Sequence, residues 1–81
     1  MAEKTIGQKI VRTDFNVGKD DDVSEIKLAF ADLIDLVGEK LEYKLEVTTD
    51  EEAEGEAARL GNTAIYSLET AAMYAVKAIT T

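Results

Sequence analysis

Residues Asn62 to Thr81 hold only two charged side chains, Glu69 and Lys77, in a chain where 32% of residues are charged. Alanine recurs there every seven residues (Ala57, Ala64, Ala71, Ala78), while Ile65, Leu68, Ala72, Val76 and Ile79 lay a second apolar row along the same helix. A helix that is small or apolar on two sides needs two partners, and a chain this short supplies one. The expectation is an obligate homo-oligomer.

With 81 residues, a monomer buries roughly 60% of the surface its unfolded chain exposes, which supports one domain, 1–81, at most. The chain has no Cys and no His, so it lacks a disulfide framework, a thiolate zinc site, and the commonest general base and metal ligand. These absences argue against an enzyme, and no cofactor or metal is expected. Nine basic against seventeen acidic residues would repel duplex nucleic acid and an anionic membrane over most of the surface. A small anion needs only a few converging Lys or Arg, because nearby charge outweighs the screened field of distant carboxylates. The amino-terminal MAEKTIGQKIV has no signal-peptide core and no apolar run reaches membrane-spanning length. A cytoplasmic location is expected.

The spacing predicts an all-α chain. Ile6, Ile10 and Val11 suit a short helix or arm over 1–13, although Gly7 weakens it. The segment TDFNVGKDDD reads as a loop. Asp22 and Glu25 have the spacing of a capping box, and apolar residues from Ile26 to Leu41 then recur every three or four positions, predicting a first long helix over 22–43. Thr48 and Thr49 are cap candidates for a second long helix over 50–79, whose acidic start suits a helix amino end. A short connection makes the two long helices antiparallel. Gly55 and Gly61 inside the second helix suggest close approach of another backbone, against the alternative of a tolerated helix weakness.

Asp14, Asn16, Asp20, Asp22 and Glu25 fall at calcium-loop positions one, three, seven, nine and twelve, but Gly18 occupies the fifth and Lys19 the sixth, where an oxygen ligand and a Gly belong. A solvated turn leading into a helix cap accounts for the same residues. Arg12, Phe15, Asn16 and Lys27 gather around this loop: an aromatic ring can stack a base, and Arg or Lys can meet a phosphate. Phe15 equally reads as a plug between helices and Lys27 as a solvated side chain. Arg59, Asn62, Thr63 and Tyr66 share a polar strip beside the Ala row, where copies of Arg59 would meet at a symmetric interface around an anion. The alternative pairs Arg59 with Glu52 or Glu56. Met73 and Tyr74 read as core.

The stretch Arg59 to Thr80, with Leu68, Glu69, Ala71, Met73, Tyr74, Ala75, Lys77 and Ala78, resembles the closing helix of phage anti-CBASS cyclic-oligonucleotide sponges. Their helical hairpin also occurs in certain anti-Thoeris proteins. Arg12, Phe15-Asn16 and Val23 to Asp35 resemble the family's loop and first long helix, so the likeness covers most of residues 10 to 80. Tyr74 stands where the family usually has Trp, and Val17-Gly18 where Pro-Ser often follows Phe-Asn. The first reads as a core substitution, whereas Gly18 bears on the loop and ligand preference.

The resemblance implies a hexamer of interlocked hairpins in the host cytoplasm during infection. It would capture cyclic di- and trinucleotide signals without cleaving them. By position, Phe15 would stack a base, Arg12, Asn16 and Lys27 would hold phosphate or base edges, and Arg59 and Thr63 would line a second pocket on a threefold axis. The alternative function is a helical assembly or protein-interaction module without a nucleotide ligand.

Overall fold

The computed structural model describes residues 3–16 and 18–81; Met1 and Ala2 of the expected arm, and Val17 of the first loop, lie outside the described residues. Helix α1 spans Ile6–Val11. Thr5 caps it reciprocally: the Gln8 N–H donates to Thr5 Oγ1 at 3.1 Å and the Thr5 N–H to Gln8 Oε1 at 3.0 Å. The helix ends at Arg12, whose φ of 56° is left-handed.

Helix α2 spans Asp21–Val47, and α3 spans Glu51–Ile79. Asp20 caps α2 by accepting from the N–H groups of Asp22 and Val23, at 2.8 and 3.3 Å, so this cap lies two residues before the Asp22–Glu25 box. Asp50 caps α3 in the same way, accepting from Glu52 at 3.0 Å and Ala53 at 3.4 Å. Thr48 closes α2 instead, its N–H donating to the Lys44 carbonyl. An aspartate at an amino cap adds charge to hydrogen bonding, which explains why it prevails over the neighbouring threonines.

The fold is all-α, with a short amino-terminal helix packed on a pair of long ones. Residues meet in antiparallel register: Leu41 lies against Gly61 near the connection, and Ala31 and Ile34 meet Ala72 farther along. Ile65 and Leu68 pack around that cluster. Among the described residues Ile34 is the one large side chain sealed off completely, which contributes about 2 kcal/mol.

Glycine sets how α1 sits. A Cβ on Gly7 would strike the Ala31 carbonyl, and the Gly7 N–H donates to Asp35 Oδ1 at 2.7 Å. Thus the residue that weakens α1 by propensity is the one that lets it lie directly on α2. In α3, a Cβ on Gly61 would meet the Leu41 side chain, while one on Gly55 would enter open space. The close approach expected at both glycines occurs within the chain at Gly61, with a side chain as the neighbour.

The two rows of α3 face different ways. Ile65, Leu68 and Ala72 pack with Ala31 and Ile34 of α2 and Val76 is half-buried, whereas Ile79 at the end of that row is exposed, as are Ala64, Ala71 and Ala78 beside Leu60 and Tyr74. The chain therefore exposes 6258 Å², against roughly 4,800 Å² for a compact globule of its mass.

Candidate ligand-binding site

The loop after α1 is built by hydrogen bonds that begin at its ends. With Arg12 left-handed, its carbonyl and that of Phe15 both turn toward the amino end of α2 and accept from the Lys27 ammonium, the former at 3.0 Å. The ammonium also lies 5.6 Å from the centre of the Phe15 ring, within cation–π range. Lys27 is only 8% exposed. Burial, and secondarily the positive charge of Arg12, hold its pKa below the ordinary lysine value. It is a buried brace and differs from the solvated side chain considered above.

Asn16 braces the other half. Its side-chain amide donates to the Asp20 carbonyl and to Ser24 Oγ, both at 2.7 Å, and its carbonyl oxygen accepts from the Asp20 N–H at 3.1 Å. Both amide hydrogens are therefore engaged, tying the loop to the cap and first turn of α2. Lys4 adds an outer tie, an ion pair with Asp14 at 2.6 Å. Asp20 serves as a helix cap, and among the described residues no group of His, Cys, Asp and Glu could hold a metal ion.

These braces leave Phe15 65% exposed. Phe15, Arg12 and Lys27 line one cavity of about 340 Å³, floored by Val11, Ala72 and Val76 and edged by Glu69 and Met73. Three of the six residues expected at a site thus converge, and Asn16 shapes the loop that carries two of them. The cavity offers an aromatic face, an apolar floor and the Arg12 guanidinium, with the Lys27 ammonium buried in its wall, a combination suited to a flat heteroaromatic ring joined to an anion.

Arg59 and Thr63 lie elsewhere. Arg59 makes a two-point ion pair with Glu56 on its own helix, at 2.5 and 3.2 Å, and Thr63 Oγ1 donates to the Arg59 carbonyl at 2.9 Å. Ten residues of helix separate Arg59 from Glu69, about 15 Å along the axis.

Several cavity residues escaped the sequence reading. A second cavity of about 430 Å³ adjoins the first and is lined by Tyr66, Glu69, Thr70, Met73, Tyr74 and Lys77. Glu69 and Met73 belong to both walls. Met73 and Tyr74, expected in the core, are exposed instead, because α3 has only one long neighbour within the chain. Their three- and four-residue spacing from Tyr66, Thr70 and Lys77 was the available signal.

The model of the family described as Acb2/Tad1, hairpin domain, matches residues 8–80. Comparison with curated proteins and with solved structures gives no match.

Proposed function

The chain belongs to the Acb2/Tad1 hairpin-domain family, and from that premise we propose that it is a phage anti-defence sponge. It binds cyclic di- and trinucleotide immune signals in the host cytoplasm, holds them intact, and so deprives host effectors of their activator. The observation that carries this reading is the convergence of Arg12, Phe15 and Lys27 on one cavity. Phe15 offers a base its exposed face, Arg12 meets phosphate, and Lys27 and Asn16 hold the loop in the shape that presents them.

One such loop is too little for a sponge. Nanomolar capture requires about −12 kcal/mol, whereas one base stacked on one ring contributes about 1 to 3 kcal/mol. A site shared by two copies doubles every group and suits a nearly twofold cyclic dinucleotide. The exposed Ala64, Ala71 and Ala78 row and the large surface area of the chain support such association. The assembly is a homo-oligomer, a hexamer by resemblance, with Arg59 and Thr63 of several copies forming the trinucleotide pocket. The Glu56 partner of Arg59 would be exchanged for phosphate, a small loss because exposed ion pairs contribute little.

On this reading the chain holds its ligand without catalysis. No helix of the described residues is long and apolar enough to cross a membrane. Calorimetric titration with cyclic di- and trinucleotides, followed by recovery of ligand from denatured protein, tests the proposal. Intact recovered ligand is expected. Altered ligand would mean catalysis, and no heat with any member would leave an assembly module without a nucleotide.

A further inference from the structure

Glu69 is the single acidic side chain on the wall of the Arg12–Phe15–Lys27 cavity, and it is half-buried there. Among the described residues it forms no ion pair; the pairs are Lys4–Asp14 and Glu56–Arg59. A carboxylate beside a site for a phosphate-bearing ligand weakens binding by repulsion unless the ligand offers it hydrogen-bond donors. Ionised carboxylates only accept. The donors a cyclic nucleotide can bring are its ribose hydroxyls, common to every member, and the edge of the base stacked on Phe15; an edge with two adjacent donors matches both carboxylate oxygens at once.

We infer that Glu69 is a specificity-determining residue that reads the base edge and selects guanine-containing cyclic nucleotides. Guanine carries two adjacent donors on its Watson–Crick edge, the ring N1–H and the exocyclic amino group, which match the two carboxylate oxygens. Adenine places an acceptor beside its amino group and would set a lone pair against the carboxylate. This inference rests on the sponge reading and names which ligands the site takes.

The test is calorimetric titration of the full chain and of Glu69→Gln with cyclic di-GMP and cyclic di-AMP. The wild type is expected to bind the guanine ligand at least about tenfold more tightly, the scale of discrimination by a good bidentate contact. In Glu69→Gln the preference should shrink by about tenfold, because an amide presents one donor and one acceptor and can no longer accept from both guanine N–H groups. A purely structural Glu69 would shift both affinities together. Equal wild-type affinities, or a preference for the adenine ligand, would overturn the assignment, as would a substitution that changes both affinities by the same factor. Absence of binding to every cyclic nucleotide would instead remove the sponge reading beneath it. The wild-type ratio decides the matter even if the variant folds poorly.

Discussion

The Lys27 ammonium donates to the Arg12 carbonyl across 3.0 Å, joining the first turns of α2 to the residue where α1 ends in a left-handed conformation. The same ammonium reaches the Phe15 carbonyl and faces its ring. One side chain therefore sets both the path of the loop and the direction of the aromatic face.

Lys27→Met should retain the methylene packing and lose the tie. Hydrogen bonds from charged groups contribute about 1.5 to 3 kcal/mol, so a stability loss of about that size is expected in denaturant unfolding. Amide exchange at Arg12 to Asn16 should accelerate while helical circular dichroism stays unchanged. Unaltered exchange there would show that the loop holds its shape without Lys27.

Alkaline pH should strengthen wild type relative to Lys27→Met. The folded-state pKa of Lys27 lies below its ordinary 10.5 because of burial and the Arg12 charge. Between the lowered value and 10.5 the unfolded chain binds more protons at this site than the folded one, so stability contributed here rises with pH across that interval. Thermal melts of both proteins, taken in steps up to pH 10.5, should show the difference widening in favour of wild type. A constant difference would contradict the lowered pKa.

Gly7→Ala should destabilise the chain by about 1 to 3 kcal/mol, since the new methyl meets the Ala31 carbonyl and overpacking of this kind carries that penalty. Gly55→Ala fills open space and should stabilise by about 0.5 to 1 kcal/mol through helix propensity. Chemical denaturation of the two variants checks the contrast. A loss at Gly55 would reveal a neighbour supplied by another copy.

Ala71→Glu places charge in the exposed row and should dissociate the proposed homo-oligomer, with sedimentation shifting toward a single chain and ligand affinity falling by tenfold or more. Unchanged sedimentation would remove the Ala row from the interface.

Lys27→Ala and Arg59→Ala should each lose a different ligand, cyclic dinucleotides in the first and cyclic trinucleotides in the second. The two residues lie in separate places in the chain. Calorimetry with both ligand classes reads the split; loss of neither would withdraw both site assignments.

The helices were legible because their signals are local. Apolar residues from Ile26 to Leu41 and the Ile65–Leu68–Ala72–Val76 row need only helical periodicity to be recognised. The caps were less so: aspartates at 20 and 50 compete with Asp22, Thr48 and Thr49, and the outcome depends on backbone angles of single residues. The gathering of Arg12, Phe15 and Lys27 could be anticipated from their nearness in sequence, but the duty of Lys27 could not. Its two carbonyl partners face it only after Arg12 has turned left-handed.

Residue pattern alone determined that this chain forms two long helices with a surplus of apolar and small faces, since periodicity is a property of one helix and its solvent. Tertiary packing decided which row turns inward, that Gly7 seats α1 against Ala31, and that Glu69 and Met73 stand on the cavity wall. Those outcomes depend on contacts between residues tens of positions apart, whose energies arise only once helices meet.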